Sequence, residues 1–174
     1  MSQHLTISEI GEEEDLLVLV PKDTSPTSCL QIHCIRGDAY VDIIVSEYEC
    51  LFGHRKSQLL YDMRPVNHDD IIELIQDDLC DIPSALKYIH SDSPHLRFSE
   101  CSALTYAYTA HYLKINKLCS QIARDASCVL EKALRDPCGS NECMTVWDAI
   151  AILNLLGDPT HLLDKLNLSD WYSR

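Results

Sequence analysis

Residues 69–113, DDIIELIQDDLCDIPSALKYIHSDSPHLRFSECSALTYAYTAHYL, constrain the fold more than any other stretch of the chain. IIELI at 71–75 is short, apolar and β-branched, which predicts a strand. Asp81 as a cap and Pro83 in the first turn predict a helix running to His90. SDSP then breaks the chain. Ser99 stands where it would cap a helix from about Glu100 to Leu113, with Leu104, Ala107, Tyr108 and His111 on one stripe. Strand, helix, turn and helix in that order point to an α+β domain.

The flanks extend this pattern. LLVLV at 16–20 reads as a strand stopped by Pro21, and DTSPTS as a turn. CLQIHC at 29–34 places Leu30, Ile32 and Cys34 on one face, so it reads as a returning strand. The two are expected to form a hairpin with a long connection. AYVDIIV at 39–45 fits strand and helix equally. SEYECLF reads as a helix capped by Ser46, with Tyr48, Leu51 and Phe52 on one face and Gly53 as its stop. Residues 53–70 are polar and broken by Pro65, which predicts a loop; its HRK is a basic exception in an acidic chain.

After the central segment, residues 115–135 repeat Leu118, Ile122, Ala126, Val129, Leu130 and Ala133 at helical spacing. Thr145 and Asp148 form a T-x-x-D capping box before VWDAIAILNLL. That helix is apolar round nearly its whole circumference, so it is either covered on most sides or left in part as a partner groove. Gly157 ends it, and Asp158 and Pro159 start a final helix over residues 160–168. Ile150 and Leu153 are assigned to the core. Trp147, Leu162, Leu163, Leu166, Trp171 and Tyr172 are the candidate partner-binding residues, with docking placed mainly on the final helix.

Composition removes several function classes. A chain of 174 residues with 46% apolar content forms one domain, or one domain with a small helical appendage. A net charge of −13 repels phosphate backbones and anionic membranes, so neither nucleic acid nor membrane is an expected partner. The opening stretch MSQHLTISEIGEEED has no basic region followed by an apolar one, and a signal peptide is not expected. Nine cysteines without such a signal fit a reducing compartment, cytoplasm or nucleus, where most serve as small buried hydrophobes.

Catalytic patterns are lacking. The five glycines do not cluster into a phosphate loop, and neither H-E-x-x-H nor G-x-S-x-G occurs. Cys29 and Cys34 point to opposite faces of a strand, and Cys138 and Cys143 have His161 as a third ligand but no fourth, so zinc is not expected. His90 and His95 flank a turn and read as solvated loop histidines. No catalytic, cofactor-binding or metal residue is assigned, and no cofactor is expected.

Several of these segments resemble the BTB/POZ family. SEYECLF resembles its serine–aromatic–x–x–Leu/Met–Phe helix, and Asp70–Leu74 its third strand. Residues 83–90 resemble the helix leading into its Tyr-rich turn, and 104–115 its helix ending in YL-x-I. The resemblance covers about residues 15–135. It implies a BTB/POZ fold: a small three-stranded sheet covered by helices, followed by two extra C-terminal helices. It divides the chain into an acidic leader, 1–14, the domain, 15–135, and a helical extension, 144–172. The extension resembles the paired helices of cullin substrate adaptors, the tail of stand-alone fungal BTB proteins, and the P…K-x-x-N-[IL]-x-x-D ending of S-phase-kinase-associated adaptors.

The resemblance implies a non-catalytic protein–protein interaction module, whose sharper form is a substrate adaptor of a cullin ubiquitin ligase. The alternatives are a structural or transcription-linked scaffold without a ubiquitin role and, more remotely, a small metal protein or enzyme. Two departures are visible. Arg36-Gly37-Asp38-Ala39 stands where the animal branch has A-H-[RK], and the hydrophobic-x-Glu of cullin binders is missing from residues 53–70. The short leader leaves too little chain for a swapped strand and an extra helix, so a strand-swapped dimer is not expected.

Overall fold

The computed structural model describes residues 15–20, 28–67, 70–91, 102–135 and 144–165. It is an α+β fold. Strands β1 (Asp15–Leu19), β2 (Cys29–Arg36), β3 (Ala39–Ser46) and β4 (Ile72–Ile75) make one mixed sheet in the order β1-β3-β2-β4. Helices α1 (Gln58–Asp62), α2 (Ile82–His90), α3 (Ala103–Tyr112), α4 (Asn116–Arg135) and α5 (Val146–Leu156) accompany it.

The expected hairpin of 16–20 with 29–34 is not formed. β1 pairs with β3 in parallel, Leu17 opposite Ile43, and the hairpin is β2–β3. Its two-residue turn places Gly37 at φ +60°, and a glycine at the first turn position suits the twist of the flanking strands. The ambiguous segment at 39–45 is therefore a strand, and the expected three-stranded sheet has a fourth. β4 pairs in parallel with β2, Cys34 opposite Leu74. A parallel pair needs a crossover, and the chain between β3 and β4 supplies it.

That crossover differs from its sequence reading. Ser46 ends β3, and the next residues form a single π-helical turn, Tyr48–Phe52, whose flanking Glu47 makes no side-chain cap. Leu51 points inward while Tyr48 and Phe52 point out, so the three do not share a buried face. Gly53 stops the turn as expected; a Cβ there would meet the Glu49 carbonyl oxygen at 2.8 Å. The expected loop contains α1. Ser57 is fully buried, accepts from the Leu60 N–H at 3.1 Å and donates to the Leu113 carbonyl at 2.5 Å. A helix of five residues is marginal alone, and this cap ties it to the α3–α4 corner.

One sheet face carries Leu17, Leu19, Leu30, Ile32, Ile43, Val45, Ile72 and Leu74 into the core. α2 starts as expected: the Asp81 side chain accepts from the Ser84 N–H, with Pro83 in the first turn. α3 is capped by Ser102, and Ser99 lies outside the described residues. Its buried face is Ala103, Tyr106, Ala107, Thr109 and Ala110; of the expected stripe, Ala107 is buried, Leu104 and Tyr108 are half-buried and His111 is exposed. All six stripe residues of α4 are buried.

The capping box before α5 forms in both directions, Thr145 with Asp148. α5 packs on α4 and α3, and Ala149, Ile152 and Leu153 join the same core cluster as the sheet. Gly157 ends it at φ +96°. The expected final helix is reduced, among the described residues, to a short 3-10 turn, Leu163–Lys165. Asp158 caps that turn, accepting from the N–H groups of Thr160 and Leu163.

Candidate functional site: an exposed aromatic face

The π-helical turn and α1 present three aromatic rings to solvent. Tyr48 is 64% exposed, Phe52 49% and Tyr61 43%. Tyr48 and Phe52 are four residues apart and therefore neighbours on one face, with ring centroids 6.4 Å apart. Phe52 and Tyr61 meet edge to face at 6.2 Å and 88°. Contiguous exposed rings on a small domain mark an interaction surface more than isolated ones do.

Two cations lie on these rings. The Arg64 guanidinium sits 5.6 Å from the Phe52 centroid and the Lys56 ammonium 5.7 Å from that of Tyr61, both within cation–π range. Arg64 also pairs with Glu47 at 3.2 Å. The Glu47 side chain is nearly buried, so this pair satisfies a carboxylate that the crossover covers. Lys56 has no such carboxylate among the described residues. The start of α1 abuts the α3–α4 corner, where the Gln58 N–H donates to the carbonyl of exposed Lys114 at 3.2 Å.

Arg55 separates from the basic HRK piece. Its guanidinium is buried, lies 4.9 Å over the Tyr88 ring, and donates from Nη1 to the carbonyls of Tyr88, at 2.9 Å, and Ser91. A cation on the last carbonyls of α2 is favourable with the helix dipole. His90, expected in a solvated turn, is the last residue of α2 and is buried. Its Nδ1 faces the Leu86 carbonyl at 2.8 Å. Burial lowers its pKa below the ordinary value, against the opposing pull of that carbonyl and of Glu49.

Of the six residues singled out in the sequence, three are among the described residues. Trp147 is half exposed on α5, Leu162 is buried in the core, and Leu163 is half-buried against it. Leu166, Trp171 and Tyr172 lie outside the described residues, as do Cys138, Cys143 and His95. Ile150 is half-buried and Leu153 fully buried, in keeping with their core assignment. Trp147 and Asn154 are the exposed residues of α5, and its other nine residues are buried or half-buried. Among the described residues no group of three or more His, Cys, Asp and Glu side chains could hold a metal ion.

Further concavities lie among the described residues. A cleft of about 440 Å³ opens at the far end of the sheet between Cys34, Arg36, Tyr40, Gln76 and Asp81. A groove of about 730 Å³ runs between α4 and the end of α5. In the cleft, Gln76 Oε1 is already engaged by the Ile82 N–H at 2.9 Å, and Arg36 pairs with Asp78.

No family model, curated protein or solved structure matches the chain. Among the described residues no helix is long and apolar enough to cross a membrane.

Proposed function

We propose that this chain is a non-catalytic protein–protein interaction module of the BTB/POZ type. The observation that carries the interaction reading is the exposed ring cluster Tyr48–Phe52–Tyr61 on a well-packed scaffold. Aromatic side chains bring large contact area at low entropic cost, and they dominate interface energetics. The BTB/POZ part rests on the order of elements. A hairpin, a helical crossover, a parallel strand and α2 precede α3, which ends at Tyr112-Leu113 and turns at Lys114 and Ile115 into α4.

An adaptor role in a cullin ubiquitin ligase is the sharper form of this proposal. A scaffold without a ubiquitin role is the second reading, favoured by one observation: residues 53–70 contain no glutamate to form the hydrophobic-x-Glu of cullin binders. Either role places the protein in the cytoplasm or nucleus.

A photo-crosslinking residue in place of Tyr61, in the native cell, tests the proposal. Specific protein adducts are expected at Tyr61, and a cullin among them selects the adaptor reading. Adducts absent at Tyr61 but formed by the same probe at Trp147 would move the interface to α5. Adducts at neither position would remove the interaction reading.

A further inference from the structure

The geometry points to an acidic linear segment of another protein, carrying an aromatic or aliphatic anchor, as the occupant of the Tyr48–Phe52–Tyr61 face. This rests on the interaction reading above and adds the chemistry of the partner. The argument turns on Lys56. Its ammonium lies over the Tyr61 ring, so anything that covers the ring also takes this cation out of water. Removing an unpaired ammonium from water is costly unless a carboxylate meets it. Arg64, over Phe52, already has Glu47 as its counter-charge, whereas Lys56 has no ion pair among the described residues. A purely apolar occupant would therefore be opposed at Lys56, and an occupant with a carboxylate beside its anchor would not.

The surrounding charge agrees. From Gly53 to Tyr61 the chain carries no carboxylate and its exposed cation is Lys56, the Arg55 guanidinium being buried against the end of α2, although the whole chain stands at −13. Glu49 and Asp62 lie at the rim, and Asp62 accepts from the Gln58 side chain at 2.8 Å. An acidic segment would be repelled over most of this molecule and admitted on this face, which gives selectivity by position.

The experiment selects random short peptides displayed on phage against the immobilised full chain, with Lys56→Glu and Tyr61→Ala chains as parallel baits. Lys56 is exposed, and unchanged thermal melting of both variants verifies their folds. The expected result is a consensus with carboxylates beside a Phe, Tyr, Leu or Ile, binding about tenfold more weakly to Lys56→Glu. A neutral or basic consensus, equal binding to all three baits, or no enrichment overturns the inference. So does a concentration-dependent doubling of mass in sedimentation that Tyr61→Ala abolishes, which would give the face to a second copy of the chain. A protein crosslinked at Tyr61 together with a neutral consensus would remove the acidic chemistry alone. No crosslink and no enrichment would remove both readings.

Discussion

The Sγ of Cys50 lies 3.8 Å from Nε2 of His90, with both side chains buried where the π-helical turn meets the end of α2. The ring faces a backbone carbonyl through Nδ1 and a thiol through Nε2, and burial disfavours its charged form against the opposing pull of the Leu86 and Ser46 backbone and of Glu49. The folded-state pKa is below the unfolded value of 6.5. Above that pH both states hold a neutral ring and stability is unaffected. As pH falls through 6.5 the unfolded chain takes up a proton that the folded chain resists, and stability drops. Urea midpoints measured from neutral to mildly acidic pH should show this loss, and His90→Gln should show a smaller slope. Equal slopes would mean that His90 does not titrate differently in the two states.

Arg55 closes the same helix from the other side. Losing its charged hydrogen bonds to the Tyr88 and Ser91 carbonyls should cost about 2–4 kcal/mol in Arg55→Ala. Arg55→Lys should recover only part of this, because an ammonium lacks the planar fork that stacks on Tyr88. Full recovery by lysine in thermal or urea unfolding would refute the stacking contribution.

The two ends of α5 should behave oppositely. Leu153 is buried, and Leu153→Ala should cost about 2–5 kcal/mol. Trp147 is half exposed, and Trp147→Ala should cost less, about 1 kcal/mol. Urea denaturation of both variants checks the order, and a Trp147 cost as large as that of Leu153 would make it a core anchor.

The thiols divide by burial. Burial raises Cys34, Cys80 and Cys119 to about 11, with a smaller contribution from Asp81 at Cys34 and from Asp77 at Cys80, and it raises Cys50 further. Thiolates are scarce at such sites, so alkylation is slow. Exposed Cys128 should therefore react with iodoacetamide well before these four, and Cys50 only on unfolding. Peptide mass mapping against time reads the order directly; early labelling of Cys50 would contradict the packing around His90.

Much of the helical framework was legible in sequence, and much of the sheet was not. The α4 stripe and the Thr145–Asp148 box are local patterns, and local patterns survive folding. The partner of β1 is a non-local choice. Periodicity marks LLVLV as a strand but says nothing about whether it pairs with β2 or β3. The Arg36-Gly37-Asp38-Ala39 turn held the missing signal, since a two-residue glycine turn between apolar runs specifies a hairpin. The aromatic face was hidden because Tyr48, Leu51 and Phe52 were placed on one helical face. Leu51 turns inward and the two rings turn out. Ser57 ahead of Gln58-Leu59-Leu60 was a readable start signal for α1 within a segment read as loop. His90 was misjudged because its place next to a turn carries no information about burial from α2 and the π-helical turn.

The crossover that carries the aromatic face also joins β3 to β4, the strand that completes the sheet by pairing with β2. Any partner bound on the face would therefore act mechanically in series with closure of the sheet. Lifting β4 from β2 loosens both anchors of the span on which the rings stand, and a ligand bridging Tyr48 and Tyr61 staples that span shut. Amide protons of β4, which touch no part of the face, should then exchange more slowly in the bound protein, so a surface event is recorded at the sheet's edge.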